Sequence, residues 1–208
     1  MCCPALRRGT LSMALYTRTG DKGFTLLPGP EGNGPLRVRK DDARMIAMGD
    51  LDELNAAVGV AAAEAVREGN DRIGKHLTTM QEDLLRVGAV LAGVFGGRKV
   101  SVGLGPAAVK RIEKHIDAIT AELPKLTNFI LPGGGELAAR LHLARAISRR
   151  TERDVVSALN LSNHSGQANS PQAVIVRYIN RLSDFLFTLA RLANHQADIK
   201  DHTWQGKK

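Results

Sequence analysis

From Asp71 to Val94 the apolar residues Ile73, Leu77, Met80, Leu84, Val87 and Leu91 recur at steps of three and four. At about 100° per residue this spacing lines one side of an α-helix, and it does not match the alternation of a half-buried strand. The same period appears in four more stretches. Asp41 or Asp42 caps a helix carrying Ile46, Leu51, Leu54, Val58 and Ala62, because a short acidic side chain accepts from the unpaired first-turn amides. Pro106 begins a third helix that reaches about Leu123, at a position where its missing N–H costs nothing. A fourth runs from near Glu136 to near Leu159, and a fifth from about Pro171 to Gln196. Five long amphipathic helices with short connections predict an all-α five-helix bundle.

No repeat or composition shift divides the chain. Residues 16–196 therefore read as one helical domain, 1–15 as a disordered or mis-assigned extension, and 197–208 as a flexible, fraying tail. The opening "MCCPALRRGTLS" lacks the apolar core of a secretory signal, and Met13 is an alternative first residue. Cys2 and Cys3 are adjacent, too close for a useful disulfide. A reducing, cytoplasmic location is expected, and no run approaches the roughly 18 apolar residues of a membrane helix. The net charge of +8 reads either as a solvated basic surface or as a match for an anionic partner, nucleic acid or a nucleotide phosphate. Aromatic residues are only 4%, too few for base stacking, and no basic block of nucleic-acid type occurs, so a nucleotide phosphate is favoured over nucleic acid.

Two segments offer phosphate chemistry. "TRTGDKGFT", Thr17 to Thr25, reads as neither helix face nor strand. Gly20 and Gly23 let backbone N–H groups approach a ligand, Thr17, Thr19 and Thr25 add hydroxyls, and Arg18, Lys22 and Lys40 add charge. Such a loop is either an ordinary turn or an anion nest. Residues 26–39 continue as a Gly- and Pro-rich surface loop. In the fourth helix, "LHLARAISRRTERDV" sets Arg145, Arg149 and Arg153 four apart, with His142 and Glu152 on the same broad face. Leu141, Ala144, Ile147 and Val155 form the adjoining apolar stripe. Like charges at this spacing repel, so the ridge is either solvated with local acidic pairs or offset by an anion. A guanidinium binds phosphate through a planar fork that Lys lacks.

Asn180 in the fifth helix sits four before Asp184 and one turn after Arg177. Mid-helix Asn needs a partner for its amide, a base edge or a neighbouring loop. Tyr178, Phe185 and Phe187 read as core. "GNDRIGKH", Gly69 to His76, nearly matches a P-loop, but His76 stands where Ser or Thr is required and no strand precedes it. Asp50, Asp52 and Glu53 crowd one turn without a Glu-x-x-His partner motif, which disfavours a di-metal bundle. An ion pair between Asp52 and an arginine of the fourth helix is expected instead. No G-x-S-x-G, no catalytic cysteine and no His set with ligand spacing occurs.

"YTRTGDKGFT", "KDD", "GDLDELNAAVG", "FILPGG", "LHLARAISRRTER" and "YINRLSDFLFTLARLAN" follow one another in this order. Together they resemble the PduO-type ATP:cob(I)alamin adenosyltransferases, over about Tyr16 to Asn194. The resemblance implies a ferritin-like, up-down antiparallel five-helix bundle with an N-terminal ATP-binding loop. It implies a homotrimer with active sites between subunits, and transfer of the 5′-deoxyadenosyl group of ATP to the cobalt of a reduced corrinoid. The products are adenosylcobalamin and triphosphate. Magnesium would ride on the ATP phosphates, with no protein side chain as its ligand. A supplying reductase and a receiving adenosylcobalamin-dependent enzyme are further partners it implies; nucleic acid and membrane are not among them. By the same resemblance Thr17, Arg18, Thr19, Gly20 and Thr25 would wrap the triphosphate with Lys40 beside them. Arg149, Arg150, Glu152, Arg153 and Asn180 would contact ATP. Arg145 would pair with Asp52 across the subunit boundary, and Asp184 would brace the arginines. Phe129 would lie against the corrin and keep water or the lower base off the cobalt. Met48 and Asp50 stand where family members often carry Tyr and Thr, which adds an acid beside the Asp52 bridge.

Overall fold

The computed structural model describes residues 16, 18–97, 100, 102–160 and 169–204. A β-hairpin, β1 (Phe24–Leu27) and β2 (Leu36–Arg39), precedes five helices: α1 (Ala43–Arg67), α2 (Asp71–Phe95), α3 (Pro106–Glu122), α4 (Glu136–Leu159) and α5 (Pro171–Gln196). The helix starts follow capping chemistry. Asp42 accepts from Arg44 N, Asn70 from Ile73 N and Ser170 from Ala173 N, and Pro106 and Pro171 occupy first turns. Asn160 ends α4 in the left-handed conformation with φ 49°. The P-loop-like segment forms the cap and first turns of α2, after a Gly69 turn that follows α1.

The helix α4 packs between α1 and α5, α2 lies on α1, and α3 rests on α5. Leu54, Val58, Ile73, Leu77, Leu141, Ala144, Ile175, Ile179 and Leu186 are fully buried where these faces meet. Each large aliphatic side chain so removed from water contributes about 1.5–3 kcal/mol. The α2 stripe lies entirely inside, as its spacing requires. In α1 the inward residue is Ala47, while Ile46 is 48% exposed. The buried set continues through Leu51, Leu54, Val58 and Ala61, and stepping back by three or four from Leu51 reaches Ala47, not Ile46.

Two segments are more ordered than their composition predicts. Within the expected 17–25 and 26–39 loops, Phe24 pairs with Arg39 and Leu27 with Leu36 in an antiparallel ladder. Leu27 and Val38 are buried, and the Gly/Pro run between the strands is only the hairpin's tip. The hairpin is fastened at Gly96, where a Cβ would lie 1.7 Å from the Pro28 carbonyl oxygen. No other residue allows that approach between α2's end and the hairpin. The tail is hydrogen-bonded as far as Trp204, which corrects the expectation of fraying from 197. Leu131 N donates to His202 O and Trp204 N to Phe129 O, and Ile130 bridges Thr203. Asp201 accepts from buried Arg191 at 2.9 Å and from Asn194 at 3.1 Å. Those two carboxylate contacts hold the polar segment, which composition alone does not disclose.

Candidate functional site

The hairpin base carries the N-terminal loop toward Lys40. Gly23, at φ 76°, turns the chain from the loop into β1, and its carbonyl accepts from Lys40 N at 2.9 Å. The Lys40 ammonium lies against Gly20, 3.1 Å from where a Cβ would project. Arg18 adopts φ 60° and its guanidinium sits 5.5 Å from the Tyr16 ring centroid. Thr19 and Lys22 are exposed in the same turn, and Thr25 starts into β1. The backbone thus gathers Arg18, Thr19, Gly20, Thr25 and Lys40 in one short region, with positive φ at Arg18 and Gly23. Thr17 lies outside the described residues.

On α4 the arginines divide. Arg150 turns to α1, paired with Glu53 and 3.5 Å from Asp50. Thr151 adds a bond to the Asp50 carbonyl at 3.0 Å. Within the chain, therefore, Arg150 reaches Glu53 and Asp50 on α1, and Arg140 lies 3.7 Å from Glu64 farther along the same contact, while Asp52 is exposed one residue round the helix. Asp50 and Glu53 are three apart and share the side that meets Arg150; Asp52 is about 100° away from Glu53. Burial first, and a hydrogen bond with Asp154 second, hold the Asp50 carboxyl above its ordinary pKa.

Arg145, Arg149 and Arg153 make no ion pair among the described residues. Arg153 donates only to the Arg149 carbonyl, at 3.0 Å. Arg145 lies 6.0 Å from the Phe187 ring centroid, and its Nε is buried without a hydrogen-bond partner. Burial, then the Arg149 charge, lower its pKa. Among the described residues, therefore, no carboxylate of the same chain pairs with this ridge. His142, expected on the ridge, is buried instead, against the edge of Phe187. Neither ring nitrogen has a partner, and burial followed by Arg145 lowers its pKa. Phe187 is half-buried beneath the ridge, a position that the residue type alone did not separate from core.

Across the α4–α5 contact, Glu152 accepts from the Asn180 amide at 2.9 Å. The mid-helix Asn180 therefore has its partner, and its carbonyl oxygen accepts from Arg181 at 2.8 Å. Asp184 is exposed, 3.9 Å from Arg181 of its own helix rather than beside the α4 arginines. Phe129 is 80% exposed, held by its backbone to the tail with its ring projecting from the surface. An aromatic ring so exposed and so firmly anchored is a feature of docking surfaces. Among the described residues there is no group of three or more His, Cys, Asp or Glu placed to hold a metal ion, and no helix long and apolar enough to cross a membrane.

The cobalamin adenosyltransferase family matches residues 15–193. A corrinoid adenosyltransferase of Bacillus subtilis is 40% identical over 190 residues, covering 91% of each chain. The human corrinoid adenosyltransferase is 38% identical over 185 residues, 86% of this chain and 68% of that one. Among solved structures, a Phe-to-His variant of a PduO-type ATP:corrinoid adenosyltransferase from Lactobacillus reuteri, complexed with cobalamin and ATP, superposes with a TM-score of 0.77. It is 32% identical, covering 94% of this chain and 98% of that one.

Proposed function

The chain belongs to the cobalamin adenosyltransferase family, and from that premise we propose that it transfers the 5′-deoxyadenosyl group of ATP to Co(I) of a reduced corrinoid. The cobalt supplies the electron pair for the new Co–C5′ bond. The C5′–O5′ bond breaks, and its electrons leave with triphosphate. Co(I) is itself the nucleophile, so the protein needs no Ser, Cys or His triad. Its work is to hold C5′ in line with the metal and to stabilise charge on the departing triphosphate.

The observation that carries this reading is the open ridge of Arg145, Arg149 and Arg153, which among the described residues makes no ion pair, in a chain whose Gly/Thr loop presents Lys40. Arg149 and Arg153, with Arg18, Thr19, Gly20, Thr25, Lys40 and Thr17, bind the triphosphate. Glu152 and Asn180, already bonded to each other, complete the nucleotide pocket. Arg150, expected at ATP, serves through Glu53 and Asp50 to seat α4 on α1. Phe129 faces the corrin and excludes an axial ligand, which eases reduction of Co(II) to Co(I). Mg²⁺ arrives on the nucleotide's phosphates.

The exposed apolar side chains Val60, Val66, Leu85 and Leu143 support assembly, which we assign as a homotrimer. Arg145 there pairs with Asp52 of a second subunit, with Asp184 facing the same boundary. This chemistry requires a reducing setting with a source of Co(I); we assign the cytoplasm, with a reductase upstream and an adenosylcobalamin-dependent enzyme downstream. Incubation of the protein with Mg-ATP and chemically reduced cobalamin tests the reading. Adenosylcobalamin, followed by its absorbance, is expected to form with release of triphosphate. Nucleotide binding without turnover would leave a regulatory bundle, and salt-sensitive duplex binding a nucleic-acid protein.

A further inference from the structure

A cleft of about 260 Å³ opens between the connection that follows α3 and the tail that follows α5. Arg191 ties its two walls together, donating to the Pro124 carbonyl at 2.8 Å and to Asp201 at 2.9 Å. Arg191 is buried and its charge is neutralised by Asp201. Lys125 and Lys200 also line the cleft, one from each wall, and among the described residues neither makes an ion pair. Leu126, Ile130 and Ile199 supply an apolar surface.

The cleft and Phe129 share one small scaffold. Residues 129–131 pair with 202–204 through the Ile130–Thr203 bridge. Successive side chains of an extended segment point to opposite faces. Ile130 and Thr203 line the cleft, whereas Phe129 and Leu131 are 80% and 53% exposed. Whatever rests on Phe129 therefore has the cleft just across a two-stranded strip.

We propose that this cleft receives the nucleotide tail of the corrinoid once its lower base has left the cobalt. This rests on the reading of Phe129 as the wall that keeps that base off. The displaced tail carries a bicyclic aromatic base and a phosphodiester monoanion, tethered to the corrin edge. The base lies against Leu126, Ile130 and Ile199. The phosphodiester sits between Lys125 and Lys200, and Asp198, which also lines the cleft, directs the anion to the lysine side. Capturing the tail stabilises the base-off form that Phe129 selects, so the two faces of the strip act on the same equilibrium.

Cobinamide has the corrin but lacks the nucleotide tail, and so separates the proposal from its premise. Steady-state adenosylation is measured with cobalamin and with cobinamide, for the native protein and for Lys125→Ala/Lys200→Ala. Both lysines are exposed, so folding is not at stake. The KM for cobalamin is expected to rise about 5- to 20-fold, since each exposed charge contact is modest. The kcat and the KM for cobinamide remain as in the native protein, and Lys125→Arg/Lys200→Arg restores the cobalamin KM. An unchanged cobalamin KM, or an equal rise with both corrinoids, overturns the tail site while the adenosyltransferase reading stands. Failure of the native protein to adenosylate either corrinoid removes the premise and the proposal together.

Discussion

Two arginine clusters in this bundle have opposite surroundings. Between α2, α3 and α5, Arg86 and Arg111 converge on Asp83, and the Tyr178 hydroxyl donates to the same carboxylate at 2.9 Å. Asp83 is buried, and its oxygens are fully engaged. Burial first, and the Asp83 charge second, push the Tyr178 hydroxyl's pKa far up, so it remains a donor. On α4, Arg145, Arg149 and Arg153 stand in a row without such a centre. The closed cluster spends its charge on joining three helices. The open one leaves charge that no ion pair among the described residues uses, and that surplus is what the proposed triphosphate site draws on.

The comparison is broken first at its closed end. Asp83→Ala leaves two guanidinium groups and a buried hydroxyl without their acceptor, and is expected to lower stability by about 3 kcal/mol. A thermal melt checks this, and Asp83→Asn, which keeps an acceptor oxygen, falls in between. A loss below about 0.5 kcal/mol would mean that the cluster is decorative. At the open end, Arg149→Ala is expected to lower kcat/KM for adenosylation about 100-fold, comparable to removal of one transition-state donor. Its melting temperature stays level or rises, because a like-charge repulsion has gone. A large drop in stability with full activity would place Arg149 in the fold instead of the site.

Phe129→Ala sharpens the contrast between corrin and nucleotide. A ring so exposed contributes little to stability, so a loss of about tenfold in kcat with unchanged ATP affinity is expected. Equal losses in both would assign the ring to general folding of the strip. The smallest effect concerns the joint between loop and bundle. Asp42, bonded to the Arg44 side chain and capping α1, has its pKa held down at about 2 from an ordinary 3.8. Its folded value is the lower one, so its contribution is present above about pH 4 and fades as pH falls toward 2. Asp42→Ala should cost about 1 kcal/mol at neutral pH and flatten that acid limb, seen in melts across pH.

Helix boundaries were legible because caps, prolines and periodicity agreed: α4 and α5 begin and end where the spacing places them. That Asn180 needs a partner was legible, because a mid-helix Asn is costly without one, and Glu152 supplies it. What escaped depends on contacts remote in sequence. Whether Asp50 and Glu53 or Asp52 meets α4 turns on how α1 is rotated about its axis, which the Ile46–Ala47 offset also reflects. His142 is spaced to share the arginine face, yet the broad α4–α5 contact covers it. The tail's order rests on Arg191 and Asn194, residues of α5 whose partners lie in and beyond the next turn. The hairpin rests on a glycine at the end of α2.

The central claim is that the open α4 ridge and the Gly/Thr loop are two walls of one triphosphate site. A crystal structure of the assembled protein with Mg-ATP tests it most directly. The account predicts triphosphate density within hydrogen-bond reach of Arg149, Arg153 and Lys40, with the loop's backbone N–H groups turned inward. ATP bound elsewhere, with those arginines in solvent and the loop unchanged, would contradict it.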